Sequence, residues 1–530
     1  MTDIYAVFVL LASSSNKRQR EDHIISTEGP LHRDQGSLML PIYEREIFKV
    51  VESGFLKRKS YIIHGPYQSG KSSFLFELRM TLKCEKLVYA HFSMPNIKGD
   101  TLTNKREGFF KYMSYILFGE KLDETATFAR IFALEDPLYL LIDEFQYIFT
   151  NLELCDVAKH FFREISNAKV CYVAVGTFIL VDLMKKDGEL ISPFNKAKFE
   201  NMPLFNVTEM GKLFELYKLN ANEDGVPSDL TGKIIKESCG HPASFMILLK
   251  LYDDFRPNVN LWEIKFQENF VKYMNGTHIK LKYEVIEMSS DEKRYLRDLI
   301  DKMADRWDMN LSDLTALDDI DKKLFNMGIL NIMGTNVVGF TSCIIWRVCV
   351  DALFPTPSRP ISRAEVPDNP ADLLALGLGF IDPIIVSDAR SKNLRSVSER
   401  VIQASLFCVF NGLLPRPMMC LLEMKAEGKS QLDLMIVDND ENLVAYSLKC
   451  DKISKSDFKE PLKQALGYAG HYNMNVHLVN FFYSGHKSPS EPDDVEEEII
   501  LINVEHNKEC TRFTITLPSD PDYFKVVNVK

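Results

Sequence analysis

Short apolar runs alternate with helix-period stretches over the first two fifths of the chain. The runs at Ser60 to His64, Leu87 to Ser93, Leu138 to Asp143, Val170 to Gly176 and Met202 to Val207 read as five strands. Between them apolar residues recur every three or four positions, the period of a helix with one buried face. Strand and helix in alternation predict a parallel α/β sheet covered on both sides. Past this region the pattern turns helical: Glu209 to Leu219 forms one helix, and Cys239-Gly240-His241-Pro242 interrupts a further pair. From Met288 it changes again. Ser289-Ser290-Asp291-Glu292 caps a helix through Asp301, helices follow over 310 to 327, and Gly328-Ile329-Leu330 leads into the Val337 to Phe340 hairpin. Prolines at 355, 357, 360, 367 and 370 mark a linker. Two runs flanking an acidic turn, Leu432 to Val437 and Leu443 to Lys449, then read as a strand pair.

This pattern divides the chain into a tail (1–25), an α/β core (26–205), a helical lid (206–283), a winged-helix-like module (284–354), a linker (355–394) and a second α/β unit (395–530). At 530 residues the chain is too long for one ordinary core, which fits several units. A hydrophobic fraction of 46% and a charged fraction of 26% are ordinary for globular protein, and no apolar stretch reaches the length of a membrane span. The net charge of −11 excludes a broadly basic, nucleic-acid-coating surface, so any such contact must be local. Ten scattered cysteines without a C-x-x-C pair read as reduced thiols of an intracellular protein. The N-terminus is ambiguous. Ile4 to Ala12 before three serines has the length of a signal h-region, but Asp3 stands where a basic start is usual; Asn16 to Arg20 is a short basic cluster of the kind nuclear import reads, or a solvated tail.

Chemistry enters at Gly65-Pro66-Tyr67-Gln68-Ser69-Gly70-Lys71-Ser72, which spells G-x-x-x-x-G-K-S between a strand and a helix beginning near Ser73. The glycines let backbone N–H groups close round phosphate oxygens and the helix N-terminus adds its dipole. Lys71 supplies charge to the outer phosphates, and Ser72 can ligate magnesium. Asp143 and Glu144 stand where the third strand emerges, Asp143 to hold magnesium through water and Glu144 to polarise the attacking water. Thr177, after the fourth strand, is a candidate γ-phosphate sensor. ATP and Mg2+ are therefore the expected ligands. Arg163 and Arg130 are the nearby candidates for an arginine finger, and a second copy of the chain is another source, which leaves a homo-oligomer open.

In the last unit an acid on one strand, Asp433, faces a lysine near the end of the next, Lys449. Gln464 and Tyr468 fall on one helical face at i and i+4, and Glu399 opens an earlier helix. These residues resemble the PD-(D/E)xK restriction-nuclease-like superfamily and the Q-x-x-x-Y motif of its RecB-like branch. That likeness implies magnesium held by Asp433, the Leu448 carbonyl and Glu399, with Lys449 orienting water. Ser447 stands where the superfamily has its second acid, so a domain that has lost catalysis and retained binding explains the sequence equally well. Lys452, Lys455, Lys459 and Lys463 could present a basic stripe to phosphates. In the middle module the helix Leu314 to Phe325 carries Asp318, Asp319 and Asp321 and is poorly suited to a phosphate backbone.

The lid resembles those of AAA-related and signal-transduction (STAND-like) ATPases, whose lids carry a Gly-x-Pro turn; His241 would then face nucleotide, or simply cap its helix. An ATPase, lid, winged helix and restriction-like domain in one chain is similar to the crinkler effectors of filamentous eukaryotic pathogens and symbionts, from about 40 to 515. The likeness implies a protein acting in the nucleus on DNA, delivered into a host cell if secreted, although Met1 to Ala12 lacks the crinkler header motif. Two functions follow: an ATPase driving a metal-dependent DNA nuclease, or an ATP-dependent switch whose C-terminal unit only binds a partner or nucleic acid.

Overall fold

The computed structural model describes residues 42–82, 86–92, 102–149, 152–183, 192–221, 225–274, 276–302, 308–310, 318–334, 337–389, 397–425, 431–438, 441–485, 489–490, 492 and 495–529. The apolar N-terminal run and the basic cluster lie outside these residues. Strands β1 (Tyr61–His64), β2 (Leu87–His91), β3 (Leu138–Asp143), β4 (Val170–Gly176) and β5 (Lys198–Asn201) form a wholly parallel sheet in the order β2-β3-β4-β1-β5. The central strands are near-continuous apolar runs because helices cover both faces. Phe48, Phe55, Phe74 and Leu78 pack on one side; Phe109, Phe110, Phe161 and Phe162 pack on the other. Consequently β1, β3 and β4 all deliver their carboxyl ends to one edge, where loops can meet a ligand.

The fifth strand lies earlier than the hydrophobic pattern predicts, over Lys198–Asn201 and not Met202 to Val207. Lys-Phe-Glu-Asn has no apolar run because β5 is a half-exposed sheet edge. Met202 is buried beyond it, and the next helix already begins at Val207.

Among the described residues five helices follow, Val207–Ala221, Ser228–Ser238, Pro242–Phe255, Val259–Tyr273 and Gly276–Ile286. The middle module contains helix Ser290–Lys302, β6 (Asp308–Asn310), helix Asp319–Asn326, β7 (Leu330–Gly334), β8 (Val337–Phe340) and helix Cys343–Leu353, its strands antiparallel in the order β6-β8-β7. Of the helices expected over 310–327 the described residues hold one short helix, and residues 311–317 lie outside the described part. Its acids have structural roles: Asp318 caps the helix by accepting from Asp321 N at 2.8 Å, and Asp321 accepts from Tyr295 OH at 2.6 Å.

The stretch read as a linker is only partly one. Residues 355–369 hold a single 3-10 turn, Arg363–Glu365, whereas Pro370–Leu378 and Pro383–Asp388 are helices that bury Leu373, Leu374, Leu378 and Val386.

The second sheet has seven strands, β9 (Met419–Lys425), β10 (Gln431–Asp438), β11 (Glu441–Cys450), β12 (Val476–Tyr483), β13 (Ile499–His506), β14 (Arg512–Leu517) and β15 (Asp520–Asn528), hydrogen-bonded in the order β15-β14-β13-β12-β11-β10-β9. The β11–β12 and β12–β13 pairs are parallel. Helix Glu399–Leu413 covers one face, and helix Lys459–Tyr472, the crossover between β11 and β12, packs on the other. One continuous core joins the lid, the middle module, helix Glu399–Leu413 and this sheet. The described cysteines are free thiols, and among the described residues no helix is long and apolar enough to cross a membrane.

Candidate nucleotide site and a C-terminal ion-pair cluster

The phosphate loop leaves β1 at Gly65 and enters helix Lys71–Thr81 through Gly70. At Gly70 φ is +87°, a left-handed turn that favours glycine, and nothing lies within 4 Å of where a Cβ would stand. The first turn of the helix leaves its N–H groups without intrahelical partners, pointing out of its N-terminus. Lys71 folds back over the loop: its Nζ donates to the Gly65 carbonyl at 3.0 Å and to the Pro66 carbonyl, with Ser69 Oγ at 3.4 Å. Burial pulls the Lys71 ammonium down to about 8, against the upward pull of Glu144 and Asp143. Ser69 and Ser73 are buried in the turn, while Tyr67 faces outward.

Asp143, at the end of β3, is 3% exposed. Its Oδ2 accepts from Tyr89 OH at 2.8 Å and its Oδ1 from Glu144 N at 3.0 Å. Tyr89, on the neighbouring β2, is a site residue the sequence did not single out. Another is Gln146, whose amide N–H donates to Glu144 Oε2 and whose Oε1 accepts from Thr177 N at 3.2 Å. Gln146 thereby ties the candidate base to the residue after β4. A signal existed: it is the lone polar residue in Phe145-Gln146-Tyr147-Ile148-Phe149. The donors fit a magnesium ion, since Ser72 and Asp143 offer hard oxygens and the Asp143 carboxylate keeps acceptor capacity beyond its two hydrogen bonds. Arg130 is ion-paired to Glu120 at 2.7 Å and stacked on Phe118, and Arg163 is exposed on its helix; neither bonds to a loop residue among those described.

The lid reaches the loop through His241. Its Nε2 lies 2.8 Å from the Tyr67 carbonyl, which can only accept, so Nε2 carries the proton. Nδ1 accepts from Ser244 N at 3.3 Å and caps helix Pro242–Phe255. The capping reading of this histidine therefore holds, and its other ring nitrogen is taken up by the backbone of the phosphate loop. Ser244 Oγ lies 2.9 Å from Nδ1 and 2.7 Å from Ser342 Oγ, the cap of helix Cys343–Leu353. Gln68 adds a bond to Thr277 Oγ1 at 3.1 Å. Burial lowers His241 to about 4, so it is neutral at ordinary pH.

In the C-terminal sheet Glu399, Asp433 and Lys449 do come together. Lys449 Nζ lies 3.3 Å from Glu399 Oε1, 3.7 Å from Asp433 Oδ2 and 2.7 Å from the Leu448 carbonyl. Those are the three ligands expected around magnesium, and the lysine ammonium bonds or pairs with all of them. Among the described residues no group of three or more His, Cys, Asp or Glu side chains could hold a metal. Asp433 is held further by Leu448 N at 2.8 Å and Ser447 Oγ at 3.4 Å, and Ser447 is fully buried. Burial lowers Lys449, but Asp433 and Glu399 more than offset it and raise it overall; burial raises Glu399. Tyr468 is buried and close enough to act on the Lys449 charge, whereas Gln464, one turn earlier, is exposed. Lys455, Lys459 and Lys463 are exposed and Lys452 half-buried.

No family model and no curated protein matches this chain. Solved structures do. A Walker-type ATPase of Pyrococcus abyssi is 12% identical with a TM-score of 0.42, covering 61% of this chain and 99% of its own. The ORC2 protein of Aeropyrum pernix is 12% identical with a TM-score of 0.37, covering 59% and 94%. A RuvB variant of Thermotoga maritima is 13% identical with a TM-score of 0.30, covering 56% and 90%. At such scores these are distant likenesses only.

Proposed function

We propose that the first sheet binds ATP with magnesium and hydrolyses it. The observation that carries this reading is the placement of the glycine-turned loop with Lys71, after β1, and of Asp143 and Glu144, at the end of β3, along the same carboxyl edge of a parallel sheet. The N–H groups of Gly70 to Ser73 cradle the phosphates, and Lys71 exchanges its own loop's carbonyls for the outer phosphate oxygens. Ser72 and Asp143 would hold magnesium, which supplies charge neutralisation between the β- and γ-phosphates. Tyr89 fixes the Asp143 carboxylate, Glu144 polarises the attacking water, and Gln146 sets the distance between Glu144 and Thr177.

For the C-terminal unit, the order helix, three strands, helix, strand supports a restriction-nuclease-like domain, in which Lys449 and Asp433 would act on DNA. One observation favours the alternative. The Lys449 ammonium already pairs with the oxygens a metal would need, and Ser447 supplies no second charge. The chain is then an ATP-dependent switch whose second sheet binds a partner or nucleic acid. Action in the nucleus, on DNA, delivery as an effector and self-assembly rest on the crinkler and ATPase likenesses alone.

Supercoiled plasmid incubated with ATP and magnesium tests this. Wild type and Lys449→Ala should turn over ATP, Glu144→Gln should not, and the plasmid should stay intact with all three. Cleavage by wild type that vanishes in Lys449→Ala would establish the nuclease reading instead.

A further inference from the structure

A second cleft opens at the same carboxyl edge of the first sheet, on the far side of Asp143 from the phosphate loop. It measures about 890 Å3 and lies between the end of β2 and helix Leu102–Phe118. Three tyrosines line it, Tyr89, Tyr112 and Tyr115, with His91, Lys111 and Lys121. Two of the rings are fixed from behind. Tyr89 is held by its hydroxyl on Asp143 at 2.8 Å; Tyr112 accepts from His91 N at 3.0 Å and donates to the His91 carbonyl at 2.7 Å. Tyr115, one helical turn from Tyr112, is 53% exposed. Lys111 is paired with Glu107 on the rim, whereas Lys121 has no carboxylate partner among the described residues.

Tyr89 apart, nothing in the hydrolysis of ATP uses these residues. Aromatic faces with polar edges beside an unpaired ammonium suit a flat ring that carries an anion, because the ring stacks and the anion meets the cation. A cavity of this size matches a small-molecule or short-strand site. An acidic peptide would leave the tyrosine faces unused, and an apolar ligand would strand the lysine.

We propose that this cleft binds a nucleobase together with its phosphate, as presented by single-stranded nucleic acid, with Tyr115 as the stacking platform and Lys121 as the phosphate contact. The proposal is independent of ATP hydrolysis and of the C-terminal sheet.

The test uses the full chain with a fluorescent 15-mer of thymidine, in low salt, with a bromodeoxyuridine version for photocrosslinking. The crosslinked peptide should come from helix Leu102–Phe118. Tyr115→Ala and Lys121→Ala should each weaken binding about tenfold, in line with the loss of one stacked base or one phosphate contact. Both variants should retain wild-type ATP turnover, which shows that they fold; Lys449→Ala should bind the oligomer as wild type does. Thymidine monophosphate competing as well as the oligomer, nucleotide for nucleotide, would name a free mononucleotide as the ligand of the same chemistry. Unchanged affinity in Tyr115→Ala and Lys121→Ala, or crosslinks confined to the C-terminal sheet, would overturn the proposal.

Discussion

At Glu144 the backbone turns left-handed, with φ at 55°, directly after the last residue of β3. A side chain other than glycine pays on the order of 1 kcal/mol for that conformation. The turn swings the carboxylate out of the strand line toward Gln146 and Lys71. Glu144→Gln keeps the shape and removes the basic oxygen. Turnover of ATP should fall by about 10²- to 10⁴-fold while magnesium-dependent ATP binding survives. Steady-state hydrolysis beside equilibrium binding decides this, and activity within tenfold of wild type would remove Glu144 from the role. Lys71, Ser72, Asp143 and Glu144 were legible because their chemistry is written in contiguous residues. Tyr89 and Gln146 were not, since their bonds to Asp143 and Thr177 cross 54 and 31 residues. Lys449 was legible as a residue but not as a plug, because its hold on Glu399 spans 50 positions.

Among the elements, β3 and β4 match their hydrophobic runs residue for residue, as strands buried on both faces should. Edge strand β5 departs from its run because half of it meets water, where sequence carries no apolar signature. The lid turn shows the opposite case, in which a short motif fixes a long-range contact. Gly240 has φ at +74°, and a Cβ there would lie 2.2 Å from the Phe205 carbonyl oxygen. Gly240→Ala should therefore cost more than about 2 kcal/mol and weaken ATP binding, because His241 and its grip on the Tyr67 carbonyl are set by that turn. Denaturant unfolding reads the first and ATP titration the second. A variant as stable as wild type would show that the lid does not depend on this approach.

For the whole molecule, burial keeps several histidines neutral: His64 is lowered to about 3, and His241, His278 and His477 to about 4. Between these values and the ordinary histidine value near 6.5 the unfolded chain binds protons that the folded chain does not. Stability is therefore fully present above about pH 6.5 and falls as pH drops through the window toward 4, by up to about 1.4 kcal/mol per pH unit for each group. Thermal scans from pH 7 to 5 should show a falling Tm before most carboxylates titrate; a flat profile would mean these rings are solvated. Within the joined core, contacts run from the phosphate loop through His241, Ser244 and Ser342 to helix Cys343–Leu353, where Arg347 lies 3.9 Å over the ring of Phe407 on helix Glu399–Leu413. The chemistry of the nucleotide site requires a triphosphate at Lys71. Calorimetric titration of the full chain with ATP and magnesium tests that most directly. Saturable binding that disappears in Lys71→Ala and weakens when magnesium is chelated is the predicted result; no binding to well-folded wild type, or undiminished binding to Lys71→Ala, would contradict it.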